Sequence, residues 1–329
     1  MCIRDSSYAP QEHKGQVLPG TWPLALVVTR GPGSGCCAVS SRKSLQIESA
    51  CVNSYLSRYD TMADRAAAQV IAQYSTSFSL ATKVLAPGVR RDIRNFYAVV
   101  RIADEIVDGA AQQANADPET LLNAYEEQVL QAPNQRFHTD PVLHAWANTY
   151  RRCRLNAEHL EAFFASMRAD LNPHAFSPAE LETYIYGSAE VIGLMCLDIF
   201  FPERQAPHPE KLQRGARALG AAFQRINFLR DFGEDQDSLG RAYFGRMLDD
   251  DTKHAITTTI HTELDQALET IPLLPRGVRG GVAAAEALFR ELTEIAERTP
   301  AAQLTQQRIS VPQRRKVALT AKAIARTGL

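Results

Sequence analysis

From Met62 onward no stretch of the chain alternates apolar and polar residues with a period of two; apolar residues recur instead at spacings of three and four. That pattern predicts helices following one another, in runs such as MADRAAAQVIAQYSTSFSLATKVL, DPETLLNAYEEQVLQ, DPVLHAWANTYRRCRL and PHPEKLQRGARALGAAFQRINFLRDFGED. Five starts are marked by proline, at Pro87, Pro118, Pro141, Pro178 and Pro209, because the first turn of a helix does not need the missing amide. The expected fold class is all-α, with about ten helices over residues 54–329 in a single domain that has no internal repeat and no long linker.

The 36 Lys and Arg residues against 37 Asp and Glu give a net charge of -1 and a pI near 6.7. Without a global basic field, nucleic acid is not the expected partner, and any bound anion must be held by a local constellation. The longest apolar stretch, Thr183 to Phe201, is interrupted by Glu190 and Asp198, whereas a spanning helix needs about 20 residues with few charges. The chain therefore reads as soluble and cytoplasmic. Of its six cysteines, Cys2, Cys36, Cys37 and Cys51 crowd the first 53 residues. Cys153 and Cys196 lack zinc or redox spacing, which fits a reducing compartment.

Residues 1–53 differ in texture from the rest, with 5 of the 18 glycines, 4 of the 17 prolines and no helical periodicity. The opening MCIRDS resembles a translated sequencing-adaptor scar. A signal peptide is the rival reading, but Pro19 and Pro23 interrupt its apolar part and no proper basic start precedes it. The segment is expected to be a non-native or disordered extension, with a native start near Met62.

Two helices carry chemistry. Over Pro87 to Asp108, steps of about 100° per residue put Arg94, Tyr97, Arg101, Asp104 and Asp108 on one narrow stripe, while Phe96, Val100, Ala103 and Val107 form the apolar stripe beside it. A helix so apolar is expected to be buried, with its acidic stripe facing a polar cavity rather than bulk water. The second helix, Pro209 to about Asp235, places Gln224, Asn227, Asp231 and Asp235 on one face with Glu234 at its edge, opposite Ala222, Ile226 and Leu229. Buried carboxylates without cations repel and protonate, so two such faces suggest a divalent metal between them. Oxygen ligands favour Mg²⁺, which typically takes one or two carboxylates plus substrate phosphates, so the implied ligand is a diphosphate. Either motif alone reads as a solvated helix face. Arg101 and Arg230 have two readings, as partners of nearby carboxylates or as holders of phosphate oxygens.

At these residues the chain resembles the squalene/phytoene synthases, which join two prenyl diphosphates head to head. The likeness covers roughly Leu56 to the C-terminus. Its strongest blocks are STSFSLATKVLAPGVRRDIRNFYAVVRIADEIVDG, YIYGSAEVIGLMCLDIF and LGAAFQRINFLRDFGEDQDSLGRAYF, and with the closing QRISVPQRRKVAL it is most similar to actinobacterial-type phytoene synthases of the carotenoid branch. The resemblance implies an isoprenoid-synthase helical fold with a central cavity between two Asp-rich helices. It implies Asp104, Asp108, Asn227, Asp231 and Asp235 as ligands of Mg²⁺, with Mn²⁺ as a substitute. Ser75, Ser77, Arg101, Gln224, Asn227, Arg230 and Arg308 would hold the diphosphate, and Tyr97 and Tyr184 would line the cavity near the reacting carbons.

The implied activity is condensation of two geranylgeranyl diphosphates to phytoene through a cyclopropylcarbinyl diphosphate, without NADPH. A C30 dehydrosqualene, hydroxysqualene or squalene synthase using farnesyl diphosphate shares the motifs, and a non-catalytic assembly factor of the same fold is a more distant alternative. Thr76 departs from the pattern, standing where many relatives carry Lys or Arg. Ser75 and Ser77 also read as helix-capping hydroxyls. Gly187, Ala189 and Gly193 are expected to give prenyl tails room. Arg314, Arg315 and Lys316 read either as a solvated face or as contacts to anionic headgroups in a peripheral membrane association.

Overall fold

The computed structural model describes residues 54–172, 174–233, 241, 243–245 and 247–327. The extension expected over residues 1–53 lies outside them, as do Glu234 and Asp235. The described helices are α1 (Tyr55–Tyr74), α2 (Thr76–Thr82), α3 (Pro87–Asp108), α4 (Ala110–Gln113), α5 (Pro118–Gln131), α6 (Pro141–Cys153), α7 (Ala157–Ala169), α8 (Pro178–Ile185), α9 (Val191–Phe200), α10 (Pro209–Arg230), α11 (Asp250–Leu268), α12 (Arg276–Arg298), α13 (Ala301–Leu304) and α14 (Gln313–Arg326). No strand occurs among the described residues, in keeping with the all-α expectation.

All five proline starts hold. Asp117 and Asp140 cap α5 and α6 by accepting first-turn amides, and Ser177 with Glu180 forms a reciprocal capping box on α8. Two expected helices are shorter than their patterns. The run from Met62 breaks at Ser75, whose backbone is extended (φ -143°, ψ 111°) and whose Oγ accepts the Phe78 amide, so α2 begins afresh. The second acidic helix ends at Arg230, with Asp231 as its C-cap. Beyond it the chain turns onto the segment after α13, so closely that a Cβ at Gly233 would collide with the Thr305 carbonyl oxygen.

A five-residue π turn, Tyr186–Glu190, joins α8 and α9 into one rod. Ser166 Oγ on α7 donates to the Tyr184 carbonyl where the turn begins, at 3.2 Å. Glycines let neighbouring backbones touch the rod. A Cβ at Gly187 would strike Ala162 and Ser166 of α7, one at Gly193 the Ala216 carbonyl of α10, and one at Gly220 the Ala189 carbonyl. Gly187 therefore serves helix packing and gives no room to a tail, contrary to the expectation from sequence. Among the described helices the rod Pro178–Phe200 is the one long and apolar enough to cross a membrane, and it packs inside the protein against α7 and α10.

One core gathers around Trp146, Phe163 and Phe164 from α3, α5, α6, α7 and α9. A second gathers around Ile226, Ile260 and Phe289 from α10, α11 and α12. Between them runs an apolar cavity bordered by α2, α3, α9, α10 and α12, with Phe78, Ile93, Ala189, Gly193 and Leu219 among its walls.

Candidate functional site

The α3 stripe is buried as expected: Tyr97, Arg101, Asp104 and Asp108 are each at most 7% exposed, with Arg94 at the margin. Its amphipathic partner stripe, Phe96, Val100, Ala103 and Val107, enters the first core and thereby turns the charged face inward. Arg101 pairs with both Asp104 and Glu105. Burial, and then the neighbouring Asp108 carboxylate, push Asp104 up to about 6. The Arg101 guanidinium also stacks on Tyr74, 4.3 Å from the ring centroid. Because Tyr74 immediately precedes Ser75, this contact brings the Ser75–Ser77 segment to the acidic helix. Ser75 is buried and acts as the α2 cap, while its hydroxyl proton is left to donate elsewhere.

The sequence reading missed a second layer around Asp108. Arg241 Nη1 lies 2.7 Å from Asp108 Oδ1, and its Nε lies 3.5 Å from Asp170 Oδ1. Asp170 in turn accepts from the Tyr184 hydroxyl at 2.6 Å and from the Tyr243 hydroxyl at 3.1 Å. Burial, and then the Asp170 charge, hold the Tyr184 phenol well above its ordinary value, so Tyr184 is a donor here. Against the pull of burial, Asp170 and Asp108 raise the Arg241 guanidinium further. Asp170 ends α7, where a single acid reads as solvated, and Arg241 and Tyr243 lie past α10, where no helical phase points inward.

On α10, Gln224, Asn227 and Asp231 are all at most 4% exposed. Arg230 grips Asp231 with Nε and Nη2 at 2.9 and 2.5 Å, and Arg308 Nε adds a contact at 2.8 Å. Phe228, between them in sequence, stacks on Tyr243 at 3.8 Å and tilts against Tyr184, tying this face to the Asp170 network. Arg101 and Arg230 thus both pair with carboxylates of their own helices. Tyr97 packs on Ile71, so it and Tyr184 stand at the polar end and not among the cavity's lining residues.

Lys316 corrects another reading. It is buried, and its ammonium donates to Thr76 Oγ1 at 3.1 Å. A cation from α14 thus stands beside Thr76, the position at which the resemblance leads one to expect a basic residue. Arg315 pairs with Glu291 at 2.7 Å, so Arg314, Arg315 and Lys316 do not form one headgroup-facing patch.

The donor set suits a hard cation. Asp104, Asp108 and Asp231 offer carboxylate oxygens, and the buried Asn227 Oδ1 and Gln224 Oε1 accept no hydrogen bond among the described residues, an arrangement that costs about 1–3 kcal/mol per group unless something else is met there. No three Asp, Glu, His or Cys side chains converge as a closed metal cage among the described residues, and Mg²⁺ does not ask for one when phosphate oxygens and water complete its shell.

Comparison with known proteins agrees with this architecture. The model of the squalene/phytoene synthase family matches residues 71–248. A 15-cis-phytoene synthase of Synechocystis is 36% identical over 183 residues, covering 53% of this chain and 53% of the relative. A 4,4'-diapophytoene synthase of Staphylococcus haemolyticus is 30% identical over 182 residues, covering 54% and 60%. The chain thus spans little more than half the length of the curated relatives it matches. Among solved structures, a dehydrosqualene synthase in complex with ligand superposes with a TM-score of 0.70 at 22% identity, covering 82% of this chain and 98% of that one. The squalene synthase HpnC from Alicyclobacillus acidocaldarius superposes with 0.63 at 21% identity, covering 73% and 94%.

Proposed function

Because the chain belongs to the squalene/phytoene synthase family, we propose that it is a prenyltransferase that condenses two geranylgeranyl diphosphates head to head to phytoene. The observation that carries this reading is the succession from a charged cluster to a carbon-lined cavity. Gln224 and Phe78 border the cavity; Asn227 and Asp231 continue the Gln224 face, and Phe78 follows the Ser75–Ser77 segment. A molecule with an anionic head and a long apolar tail fits that succession.

Asp104, Asp108, Asn227 and Asp231, with Asp235, are the residues that would hold Mg²⁺, and the ion would supply counter-charge to the departing diphosphate. Arg101, Arg230, Arg308 and Lys316, with the Ser75 and Ser77 hydroxyls, would bind phosphate oxygens and so favour ionisation of the allylic substrate. The carbon walls exclude water from the resulting cation, which the double bond of the second substrate attacks. The cation formed by that attack loses a proton as the three-membered ring closes; the resulting cyclopropylcarbinyl diphosphate ionises against the same basic residues, rearranges and loses a second proton. Tyr184, a phenol already donating to Asp170, is a poor base, which leaves the released diphosphate as acceptor. Hydrocarbon-like substrates and product favour a cytoplasmic protein working peripherally at the inner face of the membrane.

A second reading, a C30 synthase using farnesyl diphosphate, is supported by the diapophytoene synthase relative. Incubation of the full chain with Mg²⁺ and either substrate, followed by mass analysis of the hydrocarbon, separates the two. The expected product is C40 without reductant. A C30 product with no C20 turnover overturns the length assignment, and a strict need for NADPH moves the chain to the squalene branch.

A further inference from the structure

The apolar cavity has a measurable depth. Its lining along α10 runs from Gln224 at the charged end to Leu212. Those positions are twelve residues apart, about 18 Å at 1.5 Å per residue. At the far end Leu212 meets Leu197 of α9, and these two leucines also border a second pocket whose other walls include Asn156, His159, Asp198 and Gln213. The leucines are therefore the partition between the carbon-lined cavity and a second pocket of mixed lining, where Leu194 and Phe201 stand beside the polar residues. Leu212 is 1% exposed and packed with Leu85, Leu274 and Val278, so the partition is held in place by close packing.

We infer that Leu212, backed by Leu197, is the floor that sets the longest tail this chain accepts; the inference rests on the prenyl diphosphate reading above. Three bonds of an extended chain advance about 3.5 Å, so a four-bond isoprene unit advances about 4.7 Å and four units about 19 Å. A C20 tail with its diphosphate at Gln224 reaches the leucines. A fifth unit has to displace Leu212 from its packing against Leu85, Leu274 and Val278. Ala216, eight residues from Gln224 on the same lining face, lies at a depth of about 12 Å, beside the last unit of a C15 tail and well short of the end of a C20 tail.

Titration calorimetry with the unreactive thiolodiphosphates of C15, C20 and C25 prenyl chains, in Mg²⁺, tests the floor without requiring turnover. The wild type is expected to bind C20 at least about tenfold tighter than C25, in line with what a mismatched apolar pocket discriminates. Leu212→Ala is expected to bring C25 within about threefold of C20. Ala216→Leu, which removes no packing, is expected to weaken C20 about tenfold and C15 by less, so that the C15-to-C20 ratio shifts toward C15. Wild-type discrimination persisting in a folded Leu212→Ala, or an unchanged C15-to-C20 ratio in Ala216→Leu, overturns the floor and leaves the prenyl reading standing. Failure of the wild type to bind any of the three overturns both.

Discussion

Asp104 shares its guanidinium with Glu105, so replacing it does not strand Arg101. Its raised pKa marks a carboxylate that is a net liability to the fold at neutral pH. Asp104→Asn is therefore expected to melt no lower than the wild type while turnover falls by at least about a hundredfold; near-normal product formation would show that the carboxylate plays no part. Lys316→Met is expected to lower kcat/KM by about tenfold or more, the scale of one charge-assisted hydrogen bond. Adding Thr76→Lys should restore most of the loss, because the cation returns to the same place from the other side; no rescue would mean that Lys316 only packs. The acidic stripe was legible in sequence because its residues share one helix and one phase. Lys316, Asp170 and Arg241 were not, because each arrives from an element whose own pattern says nothing about α3.

At the scale of elements, α9 and α10 are joined by backbone contact, which makes their glycines costly to change. Gly220→Ala would press a Cβ on the Ala189 carbonyl and is expected to destabilise by about 2 kcal/mol or more, read as a Tm lower by several degrees. Where α8, α10 and α11 meet, Arg225 bonds Glu263 at 3.0 Å and Glu182 at 2.9 Å. Arg225 gains from both acids, while Glu263, 15% exposed, loses more water than a shared guanidinium returns and is pushed up to about 7. The folded state then holds a proton that the unfolded chain has released between pH 4.5 and 7, so stability falls as pH rises through that window. The contribution is on the order of 2 kcal/mol, and Glu263→Gln, which can keep an oxygen for Arg225, should flatten the dependence of Tm on pH. Proline and caps made helix starts readable. The breaks at Ser75 and Asp231 were not, because both residues sit acceptably inside a helical pattern, and what ends the helix is an amide captured by Ser75 in one case and a close approach to Thr305 in the other.

For the whole molecule, the all-α class followed from periodicity alone, yet the cavity is a property of several helices together and no single one announces it. The segment before α1 differs from the body in composition, with 5 of the 18 glycines, 4 of the 17 prolines and no helical periodicity. Deleting residues 1–53 is expected to leave Tm within about 2 °C and activity within about twofold; misfolding or loss of turnover in the truncated protein would make the segment structural.

The π turn gives the long rod two clients. Before it, Tyr184 presents its hydroxyl to Asp170; after it, Ile192, Gly193 and Cys196 border the cavity. A turn of this kind takes up one extra residue while the two halves keep their phase. Side-chain changes in α9 that reshape the cavity can therefore accumulate without turning Tyr184 away. Loss of one residue between 186 and 190 would close the turn into α pitch with both halves near their present phase, whereas the same deletion elsewhere in the rod would swing one half by about 100° against the other, so this short stretch should tolerate a one-residue deletion better than the helices on either side.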